Sequence, residues 1–160
     1  MGYGISVDCK CQSKDLLLGV GLGYPIVYRQ TVEDIKAGKY GIEMKDLMNS
    51  GKYVAVDAEK YIYYCNECGC VECMTALDLY EPKNTKKVEE RVVGRWSAAE
   101  PAQNKTVKDL GELPYFNSDD EDFALLKEYK HVCPKCGKVM RKIDEEELFE
   151  KTCPTCGERY

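Results

Sequence analysis

The hydrophobic positions come in short, broken runs. Ile5-Ser6-Val7 alternates apolar and polar and leads into Cys9-Lys10-Cys11, which predicts a short strand. Leu16-Leu17-Leu18 is a second short apolar run, closed by Gly19-Val20-Gly21-Leu22-Gly23 and Pro25. Thr31-Val32-Glu33-Asp34 reads as a helix start, with Thr31 as N-cap and acids in the first turn. Gly38 and Gly41 interrupt, helical spacing resumes through Met44, Leu47 and Met48, and Gly51 fits a C-terminal stop. Val54 to Val56 and Tyr61 to Cys65 read as strands. Val88 to Trp96 also suits a strand, but Pro101, Pro114 and scattered polar residues predict a connector without rigid structure. Ser118-Asp119-Asp120-Glu121 has the capping-box pattern before Phe123 to Leu126, which predicts a short helix followed by an extended Tyr129 to Val132.

These runs are too short for one large core. Small domains of this kind need staples, and ten cysteines among 160 residues are the candidates. Four of them read Cys133-Pro134-Lys135-Cys136, then Cys153-Pro154-Thr155-Cys156 after sixteen residues, within the window for a tetrahedral zinc site. Two thiolates separated by two residues converge on one ion only if the chain turns tightly. Pro after the first cysteine pre-sets φ for that turn. Gly137 and Gly157, after the second cysteines, permit the positive φ that lets backbone amides face sulfur. Between the pairs, Lys138 to Ile143 and Leu148-Phe149 suit the two arms of a β-hairpin, with Asp144 to Glu147 as its turn. Apolar area alone is too small to fold the 38 residues from 123 to 160. Metal binding worth about 10–16 kcal/mol supplies the difference.

Residues 129–160 resemble the zinc ribbon of the rubredoxin-like class. The resemblance implies a structural metal held by Cys133, Cys136, Cys153 and Cys156. It implies no particular activity, because zinc ribbons serve many. Iron is the competing metal for such a shell.

The other six cysteines are less regular. Cys65-Asn66-Glu67-Cys68-Gly69 is a third knuckle, entered from a strand, and needs two further ligands. Cys9 and Cys11 lie upstream with one residue between them; Cys70 and Cys73 lie immediately downstream. The preferred closure is Cys9, Cys11, Cys65 and Cys68, a split ribbon with a helical insertion. Two alternatives stay open: a site from Cys65, Cys68, Cys70 and Cys73, and a binuclear cluster of all six. The preferred closure leaves Cys70 and Cys73 as free thiols or a redox pair. Met1 to Ile5, Cys9-Lys10-Cys11 and the Cys65 knuckle also look loosely similar to small bacterial double zinc-ribbon proteins, a similarity that brings no activity with it.

Charge and composition narrow the function. His131 is the single histidine, so a site with two imidazoles cannot form within the chain. The formal net charge of −5 argues against a general polyanion-binding surface. Each four-thiolate zinc site makes the loaded chain about two charges more negative. Lys135, Lys138, Arg141 and Lys142 form a basic group that offsets thiolate charge or, alternatively, meets nucleic acid. Twelve Tyr against three Phe suit thin, half-wet cores, since the hydroxyl reaches water; base stacking by Tyr61, Tyr63 and Tyr64 is the competing use. Gly19, Gly21 and Gly23 are not a phosphate loop, because Tyr24 and Ile26 stand where the fingerprint needs glycine. Met1 to Ser6 fits the short N-myristoylation pattern, but the start of a strand explains it more simply.

Met1 to Lys10 lacks the basic-then-apolar signature of a secretory signal. The longest uncharged run, Leu16 to Tyr28, is too short and broken to span a bilayer. The expected compartment is therefore reducing cytoplasm, where clustered cysteines bind metal more often than they form disulfides.

The expectation is a small α+β, metal-stapled protein with two zinc-ribbon-like β modules. Residues 1–84 form a split ribbon with a helical insertion, 85–122 a partly irregular connector, and 123–160 a C-terminal ribbon. Two Zn2+ ions are expected. The expected role is a protein-interaction module, not an enzyme, because four cysteines close the metal shell to water. Nucleic-acid binding, or thiol-redox chemistry at Cys70 and Cys73, are the alternatives.

Overall fold

The protein was analysed as a computed structural model that describes residues 2–19, 24–88, 90 and 120–160, with backbone alone at 24–26. Helices and antiparallel sheets mix, giving a small α+β fold. The chain divides into two units: Met1–Gly23, Ala58–Ala76 and Tyr129–Tyr160 in the first, and Tyr24–Asp57 with Leu77–Glu128 in the second. Both draw on separated stretches of chain. Neither is a continuous module such as 1–84 or 123–160.

The first unit begins with the hairpin β1 (Tyr3–Cys9) and β2 (Gln12–Leu18), closed by a tight turn at Lys10-Cys11 with Cys9 opposite Gln12. A second antiparallel sheet runs β5 (Val71–Thr75), β4 (Lys60–Tyr64) and β8 (Arg141–Ile143). Tyr64 opposes Arg141 and Ile62 opposes Ile143, so the C-terminal stretch adds a strand to β4.

The expected hairpin between the last two knuckles is absent. After β8 the chain enters α3 (Glu145–Glu150). Asp144 caps this helix by accepting from the Glu147 amide at 2.7 Å, and three Glu occupy its first turn. That arrangement favours a helix over a returning strand.

Alternation along β4 gives the sheet two packed faces, as the period of two requires. Ile62 packs with Val7, Leu16, Leu18, Ile143 and Leu148, with Tyr64 against them. Tyr63 packs with Cys65, Cys70, Cys133 and Met140 on the other face.

The second unit holds α1 (Tyr24–Ala37), α2 (Ile42–Met48) and a sheet ordered β3 (Ala55–Val56), β6 (Leu79–Pro82) and β7 (Phe123–Lys127). Helix α1 starts seven residues before Thr31, with Pro25 at its second position, where a missing N–H costs little. Thr31 is therefore interior, and its hydroxyl donates to the Val27 carbonyl at 2.8 Å. Tyr28, Val32 and Ile35 recur at helical spacing and are buried.

Phe123 to Lys127 is a strand and not the expected helix. Asp120 accepts from the Asp122 amide at 3.0 Å in an Asx turn, and the strand then pairs with β6. Ser118 and Asp119 of the expected cap lie outside the described residues, as does most of Val88–Trp96 and of the expected connector. Residues 85–88 are helical. No helix among the described residues is long and apolar enough to cross a membrane.

Leu148 is completely buried and Leu17 is 65% exposed. Leu148→Ala is expected to lower unfolding stability by about 2–5 kcal/mol, and Leu17→Ala to change it by no more than about 0.5 kcal/mol. Denaturant unfolding measures both. Equal effects would contradict the packing of α3 onto the sheet.

Candidate metal centre

Three knuckles share one backbone geometry. Gly69, Gly137 and Gly157 all have positive φ, between 70° and 74°. In each knuckle this glycine's amide donates to the first cysteine's carbonyl, at 2.8 Å from Gly69, 2.9 Å from Gly137 and 2.8 Å from Gly157. The first cysteine's amide in turn donates to the carbonyl five residues on: Cys65 to Cys70, Cys133 to Lys138 and Cys153 to Glu158. The C-x-x-C-G repeat thus fixes the same turn three times, as its glycine predicts. The fourth pair, Cys9 and Cys11, sits instead at the tip of the β1–β2 hairpin.

The structure brings all eight expected ligands into two groups of four: Cys9, Cys11, Cys153 and Cys156, and Cys65, Cys68, Cys133 and Cys136. The grouping differs from the sequence reading. Cys133 and Cys136 do not share a site with Cys153 and Cys156, and Cys65 and Cys68 do not share one with Cys9 and Cys11. The physical cause is the β4–β8 pairing, which sets the knuckle at the end of β4 beside the one that precedes β8. Cys70 and Cys73 belong to neither group, so neither alternative closure forms.

The sulfurs fit a metal. Within each group all four lie within 4.8 Å of one another. Near contacts are Cys9–Cys11 and Cys11–Cys153 at 3.4 Å, Cys65–Cys136 at 3.4 Å and Cys68–Cys133 at 3.5 Å. A tetrahedral shell with zinc–sulfur bonds near 2.3 Å has sulfur–sulfur edges of about 3.8 Å. A disulfide would need about 2.05 Å, and all ten cysteines are free thiols. These two groups are therefore able to hold metal ions.

Local electrostatics prepare thiolates. Burial acts to raise the Cys133 thiol, but the amides of Cys136 and Lys135 outweigh it and pull the group down to about 6. The amides of Cys156 and Thr155 hold Cys153 down to about 6 against burial. The Lys138 amide favours the Cys136 thiolate, yet the shared sulfurs, Cys65 foremost, and burial push that thiol up to about 12. Cys11 is raised, chiefly by its contacts with Cys153 and Cys9. Each group thus ionises one sulfur readily and retains protons on another, and a divalent cation displaces those protons when it binds.

The two centres touch through their turns. A Cβ built on Gly69 would lie 3.0 Å from the Pro154 Cβ, so Gly69 is required both by its positive φ and by close packing. Gln12 Nε2 donates to the Cys153 sulfur at 3.5 Å.

His131, Cys70 and Cys73 lie outside both groups and have structural surroundings. His131 is buried, its Nε2 lies 3.1 Å from the Ala76 carbonyl oxygen, and its ring lies against Tyr63 and Tyr129. Cys70 is buried with Cys133 on one sheet face, while Cys73 packs on the other face and donates to the Leu17 carbonyl at 2.7 Å. Burial pushes Cys70 up to about 11 and also raises Cys73. Two raised thiols on opposite faces do not form a reactive dithiol.

The three tyrosines proposed for stacking already have partners. Lys142 Nζ lies 3.1 Å from the Tyr61 ring centroid, Tyr63 meets His131, and Arg141 and Lys151 flank Tyr64. No protein family, curated protein or solved structure matches the chain in comparison with known proteins.

Paired substitutions test the grouping. Cys65→Ala with Cys133→Ala is expected to remove one bound ion, and Cys133→Ala with Cys153→Ala to remove two. Native mass spectrometry counts them. The reverse pattern would restore the grouping of Cys133, Cys136, Cys153 and Cys156.

Proposed function

We propose that this chain is a zinc-binding protein in which two four-cysteine sites act as structural staples of zinc-ribbon type, and that the stapled unit serves as a protein-interaction module. The observation that carries the reading is the convergence of eight cysteines, from three knuckles and a hairpin, into two groups of four whose sulfurs lie within 4.8 Å of one another. Zinc suits an all-thiolate tetrahedral shell. Four thiolates leave no open position for water, so the reading is structural and not catalytic. Such sites persist in a reducing compartment, which supports a cytoplasmic location.

A protein partner is favoured over nucleic acid for two reasons. Tyr63 is buried, and Lys142 and Arg141 lie against the rings of Tyr61 and Tyr64, which makes the three a poor stacking platform. The −5 formal charge becomes more negative once thiolates bind zinc. Exposed apolar side chains in the first unit, Tyr3, Leu17, Val132, Val139 and Phe149, supply contact area for a protein.

Metal removal tests the structural role. A strong chelator is expected to abolish the near-ultraviolet tyrosine signal of the first unit, and added zinc to restore it at two ions per chain. Cobalt in place of zinc is expected to show the visible bands of tetrahedral thiolate coordination. Retention of the tyrosine signal after complete metal removal would contradict the proposal.

A further inference from the structure

The two centres have the same donors but unequal surroundings. The centre formed by Cys65, Cys68, Cys133 and Cys136 is built from two knuckles. Cys133 takes the amides of Lys135 and Cys136 just as Cys153 of the other centre takes those of Thr155 and Cys156, so the centres differ at the second knuckle, closed by Gly69 at positive φ, where Cys68 takes the Cys70 amide. Amide donors spread thiolate charge, hold the ligand in place and lower its nucleophilicity.

In the other centre a hairpin replaces one knuckle. The Cys11 sulfur lies 3.4 Å from the sulfurs of both Cys9 and Cys153. The Lys10 amide, inside the Cys9-Lys10-Cys11 turn, donates to the Glu158 carboxylate at 3.0 Å, away from sulfur. That carboxylate also pairs with the Lys10 ammonium.

The repeated motif differs in charge at matching positions. Cys-Pro-Lys135-Cys-Gly-Lys138 flanks one centre, and Cys-Pro-Thr155-Cys-Gly-Glu158 flanks the other. Lys10 pairs with Glu158 at the second centre, and no such pair among the described residues flanks the lysines of the first. Access differs too. The second centre exposes Cys11 and buries only Cys153, whereas the first exposes Cys136 and buries both Cys65 and Cys133.

We propose that Cys9, Cys11, Cys153 and Cys156 form a labile, reactive zinc–thiolate site, at which peroxides oxidise Cys11 and release the ion while the other centre keeps its own. The proposal rests on the zinc reading above. The Cys11 thiolate attacks one peroxide oxygen; an S–O bond forms, the O–O bond breaks, and hydroxide leaves as water after taking a proton. The Cys153 thiolate, 3.4 Å from Cys11, then attacks the oxidised sulfur. The Cys11–Cys153 bond forms, the S–O bond breaks, and a second hydroxide leaves as water. Two sulfurs lose two electrons, hydrogen peroxide gains them, and solvent supplies two protons. The ion retains two thiolates and dissociates.

The test uses the full chain loaded with two zinc ions and treated with hydrogen peroxide beside a chromophoric zinc indicator. Native mass spectrometry counts retained ions, and peptide mapping locates the oxidised cysteines. The first ion is expected to leave at least roughly tenfold faster than the second, the factor of about one hydrogen bond to a charged group. A Cys11–Cys153 disulfide is expected to accompany its loss. Glu158→Gln is expected to slow the first release severalfold. Simultaneous loss of both ions, first oxidation at Cys65, Cys68, Cys133 or Cys136, or oxidation confined to Cys70 and Cys73 would overturn the inference. A chain that never holds two ions would overturn the zinc reading itself.

Discussion

Four sulfurs must meet within a few ångströms, and in each centre they come from distant parts of the chain. Cys68 and Cys133 are 65 positions apart, and Cys11 and Cys153 are 142 apart. Drawing such segments together costs conformational entropy, though this cost rises only slowly with loop length. The first unit has short strands and two modest apolar clusters with which to offset it. A metal ion that joins two segments and binds nowhere as well in the unfolded chain adds its binding energy to folding. The Cys65 centre joins the end of β4 to the turn before β8. The Cys9 centre joins the β1–β2 hairpin to the last knuckle. The two are nested along the sequence and touch at Gly69 and Pro154.

The strand alternation serves the same end. Ile62 and Tyr64 pack on the hairpin side of the sheet, and Tyr63 packs beside Cys65 and Cys133. One five-residue strand therefore supports both an apolar core and the wall of a metal centre. Tyrosine suits this position because its ring packs while its edge and hydroxyl remain among charged neighbours. Lys142 over Tyr61 and Arg141 beside Tyr64 continue the packing outward without a larger hydrophobic core.

Much of this was legible in the residues, and the misses have identifiable causes. Each knuckle is local: C-x-x-C-G dictates its own turn, so the three turns and their six cysteines are legible directly, whereas Cys9 and Cys11 carry no such local signal. The pairing is not local. A knuckle offers two sulfurs and accepts any other pair, so proximity in sequence favoured Cys133 with Cys153. The antiparallel match of Tyr64 with Arg141 decides otherwise, and no motif announces it. Phe123 to Lys127 follows a capping-box pattern, yet pairing with β6 outweighs that weak local preference. Asp144 followed by three Glu suits a turn as well as a helix start, and the side-chain cap at Glu147 decides for the helix. Thr31 illustrates the converse error, a good cap residue buried one turn after another inside a longer helix.

The central claim is the exchanged grouping of eight thiolates. Loading the chain with cadmium-113 and recording proton–cadmium correlations assigns each ion to the cysteine β-protons around it. One cadmium is expected to couple to Cys9, Cys11, Cys153 and Cys156 and the other to Cys65, Cys68, Cys133 and Cys136. A single cadmium coupled to both Cys133 and Cys153 would contradict it.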